Sequence, residues 1–171
     1  MKAFTLLTLV SPIVAVAIKG SAVGKAVDSV DASLMERDDV TVLCGQPPDH
    51  PDTPILASEY AYPVGLLLGA GDKTLHFSKG PSACRQVACN PSTGEDAGVT
   101  VCSDESVEID ILYTDMAWFA QRVYDQCKVR HSDGKDYITK GQAFNPSAKW
   151  NVILSSFGVN NCHNYEIDSQ V

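Results

Sequence analysis

The chain is predicted to fold as an α+β domain braced by disulfides, with an antiparallel sheet of two hairpins packed against one or two helices. Three observations predict this. All six cysteines, Cys44, Cys84, Cys89, Cys102, Cys127 and Cys162, lie downstream of an apolar N-terminal leader, so they meet an oxidising compartment in which up to three disulfides can form. Short β-branched runs flank a turn-rich loop in the middle of the chain, which signals a hairpin. A stretch with helical apolar spacing follows it.

The leader is taken first because it is removed before folding. Met1-Lys2 supplies a positive charge, residues 3–17 carry none, and Ala15-Val16-Ala17 matches a small-x-small cleavage pattern. A signal peptide over residues 1–17, cut after Ala17, is expected. A membrane span needs about 20 apolar residues, and this run is shorter and holds Pro12. No second long apolar run, anchor signal or retention tail follows, so secretion to the extracellular space is expected, without membrane attachment. Residues 18–37 lack aromatics and cysteines and read as a pro-segment ending at Arg37 or as a disordered spacer. The cysteine-rich domain then covers residues 38–171, 134 residues in all. One core suits that length, and the disulfides reinforce it rather than replace it. From Asp38 onward nine basic residues face eighteen acidic ones, a formal balance of −9. A field of that sign repels nucleic acid and anionic membranes and favours basic polymers or cationic proteins.

The elements follow in order. GQPPDHPDT at residues 45–53 is a loop. Thr53-Pro54 can open a short helix over residues 54–62, broken at Pro63, with Ser58-Glu59 as a competing start for a segment reaching Leu68. Residues 69–73 make a turn and residues 74–78 a short strand. Residues 84–89 and 98–103 flank the loop NPSTGED as a hairpin. Cys84 and Cys89, five apart, point to opposite faces of a regular strand. They therefore need partners elsewhere. Residues 115–127 form a helix with Thr114 as its N-cap and Asp115 at the positive end of its dipole. Met116, Ala120, Val123 and Cys127 fall on one apolar stripe. A disulfide from Cys127 to Cys102 or Cys84 would staple this helix to the hairpin, although six cysteines allow fifteen pairings. HSDGK at residues 131–135 is a turn, and residues 136–141 and 150–157 are strands. The tail from Gly158 holds Cys162 and ends in a polar stretch, Asp168-Ser169-Gln170-Val171, that is expected to fray.

Few residues offer chemistry. No Cys-x-x-Cys pair occurs and oxidation consumes thiols, so no metal site is expected. His50, His76, His131 and His163 are scattered. His76 and Arg85 on neighbouring strands would resemble a phosphodiesterase pair only if a cleft held them with an acidic side chain. Asp104, Glu105, Glu108 and Asp110 cluster after the hairpin, where a solvated loop is the ordinary reading against a glycosidase pair or a calcium loop. No Gly-x-Ser-x-Gly and no phosphate cradle appears. Trp118 and Phe119 are adjacent on the helix, so one leans off the stripe, flanking the core or anchoring a partner. Asn90-Pro91-Ser92 and Asn145-Pro146-Ser147 carry the proline that blocks glycosylation. No catalytic residue, cofactor or metal is assigned.

One resemblance bears on function. The leader, the short spacer and the six cysteines resemble fungal small secreted cysteine-rich proteins. The likeness runs through Ser82-Ala83-Cys84-Arg85-Gln86-Val87-Ala88-Cys89, Val101-Cys102-Ser103-Asp104, Asp125-Gln126-Cys127, Gly141-Gln142-Ala143-Phe144 and Trp150-Asn151-Val152-Ile153-Leu154. It covers about Cys44 to Cys162. Many members of that loose family are regarded as candidate effectors of host-colonising fungi, and some share α/β folds with killer toxins. The resemblance implies a secreted, non-enzymatic, monomeric virulence protein that binds an unknown host protein or cell-wall component to alter host defence. It supplies no binding residues. The second class is a killer-toxin-like antimicrobial, weakened by the negative charge because membrane-active toxins are usually cationic.

Overall fold

Side chains alternate across an extended strand, and that alternation turns Val42, Val99, Val101, Ala143, Val152 and Leu154 toward one side of a central sheet. A computed structural model describes residues 39–49, 52–91, 97–156 and Cys162. The expected leader, cleavage site and spacer, His50, His163 and the polar tail lie outside the described residues.

Ten strands are present among the described residues: β1 (Thr41–Cys44), β2 (Ile55–Leu56), β3 (Thr74–Phe77), β4 (Ala83–Cys89), β5 (Ala97–Ser103), β6 (Ile109–Leu112), β7 (Val129–Arg130), β8 (Asp136–Ile138), β9 (Gly141–Phe144) and β10 (Trp150–Ser156). Two α-helices join them, α1 (Ala61–Gly69) and α2 (Tyr113–Cys127), with a 3₁₀ turn at Ala57–Tyr60 leading into α1. The main sheet has the order β1-β9-β10-β5-β4, with all its pairs antiparallel. Two smaller antiparallel ribbons, β2-β8-β7 and β3-β6, lie beside it. The α+β expectation holds. The β4–β5 and β9–β10 hairpins are joined through β10 and β5 into one sheet; the strand expected at residues 136–141 instead gives β8 in a separate ribbon, and the partner of β10 is β9, which was not expected.

Register shows how the core is built. Val101 opposes Val152, Val152 opposes Ala143, and Ala143 opposes Val42, so one apolar row crosses four strands. The next row runs through Val99, Leu154 and Gly141 to Cys44. Helix α2 lies over these rows and buries Met116, Ala120, Val123 and Cys127, the stripe its spacing predicts. Gly141 permits the close approach, since a Cβ there would stand 2.7 Å from Val123 Cγ1 and 2.8 Å from Cys127 Sγ. Helix α1 packs against α2 and β4 and contributes Val64 and Leu67. Ribbon β3-β6 turns Leu75, Phe77 and Ile111 into the same core and leaves His76 and Asp110 outside.

Several expectations are corrected. Pro63 does not end the helix. It sits in the first turn of α1, where a backbone N–H has no helical partner to lose. Residues 55–56 are strand rather than helix, because Ile55 pairs with Ile138. Helix α2 starts at Tyr113, with Leu112 at the cap position and no side-chain cap. The buried Tyr113 ring and the bond from Tyr113 N–H to the Lys73 carbonyl (3.0 Å) fix that start, and Thr114 falls inside the first turn. Asp110 belongs to β6, not to an acidic loop. Gly141 opens β9 rather than closing β8. Strand β10 is described through Ser156, and Phe157 lies outside the described residues. The turn at residues 131–135 is as expected: Gly134 has φ +79°, and Asp133 accepts bonds from Lys135 N–H (3.0 Å) and the Tyr137 hydroxyl (2.9 Å). Those bonds, the backbone one foremost, hold the Asp133 carboxyl below its ordinary pKa.

Candidate binding groove

All six cysteines are paired, as Cys44–Cys127, Cys84–Cys102 and Cys89–Cys162. Cys127 does reach the sheet, but its partner is Cys44 on the edge strand β1, not Cys102 or Cys84. Helix α2 ends over β9 and β1, and Cys44 pairs in register with Gly141 directly beneath it. The parity expected for Cys84 and Cys89 also fails. A bulge between Gln86 and Ala88 inserts a residue, which shifts the alternation by one. Cys84 then opposes Cys102 and Cys89 opposes Gly98, four residues apart on β5 and so on the same face. They still bond elsewhere, as expected. No helix among the described residues is long and apolar enough to cross a membrane, and the three bridges are consistent with export.

The fold does bring His76, Arg85 and an acidic pair together. His76 Nδ1 lies 3.0 Å from Asp110 Oδ1, and Nε2 lies 3.8 Å from Glu108. These side chains are more than half exposed on the outer face of the β3-β6 ribbon, and the groove described next does not include them. Arg85 is committed to structure. Its guanidinium donates to the His76 carbonyl (2.8 Å) and lies over the Phe77 ring, tying β4 to β3. Of the adjacent aromatics on α2, Phe119 is buried against Trp150, with ring centroids 4.7 Å apart. Trp118 is the one that leans off the stripe, and it stacks under Arg122 at 4.5 Å. His131 packs on Tyr137. Among the described residues no group of three His, Cys, Asp or Glu side chains is placed to hold a metal ion.

A well-formed depression elsewhere has another origin. It is a groove of about 550 Å³ between the β9–β10 turn and the loop after β5, lined by Asp104, Glu105, Phe144, the turn residues 145–149, Trp150 and Asn151. Local chemistry builds both walls. In the turn, Asn145 Oδ1 accepts from Ser147 N–H (2.8 Å) and Ala148 N–H (3.2 Å), an Asx-type turn that asparagine favours. In the loop, Asp104 Oδ1 accepts from Ser82 N–H (2.7 Å) and Glu105 Oε1 from Lys149 N–H (2.8 Å). The Asp104 amide donates to the Lys149 carbonyl (2.7 Å), so loop and turn are laced to one another. The Gly80 amide donates to the Glu105 carbonyl (2.6 Å) from a third segment. Gly80 has to be glycine, because a Cβ would meet Asp104 Cα and the Ser103 carbonyl oxygen at 2.8 Å.

Each carboxylate thus spends one oxygen on a backbone amide and keeps the other without a partner among the described residues. Phe144 projects from the face of the sheet opposite α2, in one row with Asn151, Cys102 and Cys84, and is 36 % exposed. The Asn151 amide donates to Gln142 Oε1 (3.1 Å). In the sequence, Asp104 and Glu105 read as part of a solvated acidic stretch and Asn145 as a blocked sequon. The available signal was Asn-Pro-Ser between the apolar runs GQAF and WNVIL, which marks a hairpin turn. The chain matches no protein-family model, no curated protein and no solved structure.

Proposed function

We propose that the chain is a secreted, non-enzymatic effector that alters host defence by binding a host or cell-wall component, and that the groove beside the β9–β10 turn is its contact site. The observation that carries this reading is the groove's construction. Backbone amides from two separate segments, Ser82 and Lys149, hold the two carboxylates of a third beside an exposed aromatic ring. A site whose polar groups are fixed before the ligand arrives loses less ordering entropy on binding. The disulfides support the same reading, since bridges that close long loops stabilise a chain exposed to extracellular proteases. The likeness to fungal secreted cysteine-rich proteins supplies the biological context.

The test is a comparison of wild-type protein and Phe144→Ala, purified with disulfides intact. Both are infiltrated into plant tissue and spread on fungal and bacterial lawns. A host response that weakens with Phe144→Ala is expected. Growth inhibition on the lawns with no host response would replace the effector with an antimicrobial.

A further inference from the structure

We infer that the groove between the β9–β10 turn and the loop after β5 binds a neutral pyranose ring, with Phe144 as its stacking surface and Asp104, Glu105 and Lys149 as partners of its hydroxyl groups. This rests on the groove being the contact site and names the chemistry of what it takes. A volume of about 550 Å³ lies within the range of roughly 300–1,000 Å³ typical of small-ligand clefts. Its lining offers three kinds of contact together. Asp104 and Glu105 each keep an oxygen that can only accept a hydrogen bond. Lys149 lines the same groove, and its ammonium can only donate. Phe144 brings an exposed aromatic face.

Charge narrows the ligand. Two carboxylates in the groove and a chain of net charge −8 disfavour uronic acids, sulfated sugars and phosphates. The Lys149 ammonium in the same groove offsets part of the carboxylates' pull on a cationic side chain. A neutral polyol is not repelled by either sign. Each of its hydroxyls both donates and accepts, so it can use acceptor and donor walls at once. The C–H face of a pyranose is apolar and covers an aromatic ring that water solvates poorly.

Calorimetric titration of the intact protein with chitohexaose, laminarihexaose and cellohexaose tests this and separates the sources. The first two represent microbial walls and the third a plant wall. At least one hexamer is expected to bind. Phe144→Ala should weaken it about tenfold, and Phe144→Tyr should restore most of the affinity. Glu105→Gln, which keeps an acceptor for the Lys149 amide, should weaken it several-fold. Binding by none of the three, or binding indifferent to both Phe144→Ala and Glu105→Gln, overturns the inference. A lysine-rich peptide that binds and is weakened by those variants would overturn the sugar assignment and leave the groove as the contact site. A host response undiminished in the variants would remove the groove itself.

Discussion

Gly141 shows how one missing side chain positions a helix. Because α2 rests on the bare backbone of β9, an alanine there has to displace Val123 and the Cys44–Cys127 bridge. Gly141→Ala should cost about 1–3 kcal/mol, as overpacking of a filled core does, measured by urea unfolding. Tyr60 makes the opposite case. It is fully buried, and its hydroxyl has no hydrogen-bond partner among the described residues. Tyr60→Phe should therefore lie within about 1 kcal/mol of wild type at neutral pH, since no bond is lost. Burial raises the Tyr60 phenol well above its ordinary pKa of 10.0. Tyr113 is raised for the same reason, with Arg85 opposing. A raised folded-state pKa stabilises fully below the unfolded value and less as pH climbs toward the folded one. Urea midpoints should accordingly fall above pH 10, and fall less steeply in Tyr60→Phe.

Between elements, the contact of Gly80 with the loop after β5 decides the shape of the groove. The atoms that an added Cβ would strike are backbone atoms of Ser103 and Asp104, which cannot swing aside as a flexible side chain can. Gly80→Ala should shift the amide resonances of Asp104, Glu105 and Lys149 in a heteronuclear NMR spectrum while those of α2 stay in place. Ligand binding should weaken with them. The bulge in β4 works at the same scale. One extra residue reverses the alternation, and with it the faces on which Cys84 and Cys89 stand. The contact of His76 with Asp110 on the ribbon is too exposed to add much, whereas the Arg85 bond to the His76 carbonyl ties two sheets together.

Across the whole molecule, the three bridges differ in reach. Cys44–Cys127 spans 83 residues and Cys84–Cys102 only 18. If loop closure in the unfolded chain dominates, the first contributes about 4.5 kcal/mol and the second about 3 kcal/mol. The double variant Cys44→Ser/Cys127→Ser should therefore unfold at lower urea than Cys84→Ser/Cys102→Ser. Equal midpoints would show that strain or residual structure, rather than chain entropy, sets the contribution of each bridge.

The sequence by itself determined the α+β class, the β4–β5 hairpin, the buried stripe of α2 and the turn at residues 131–135. Each is set by neighbours a few residues apart, through side-chain alternation, helical period and turn chemistry. Only the tertiary structure decided the cysteine pairing, the four-residue strands β1, β6 and β9, and the groove. Short strands have little pattern of their own and are fixed by partners, as β1 is by β9 and β6 by β3. The groove joins residues 104–105 to residues 144–151 through hydrogen bonds spanning about forty positions. No local spacing encodes a contact of that range, because it exists only once β5 and β10 lie side by side.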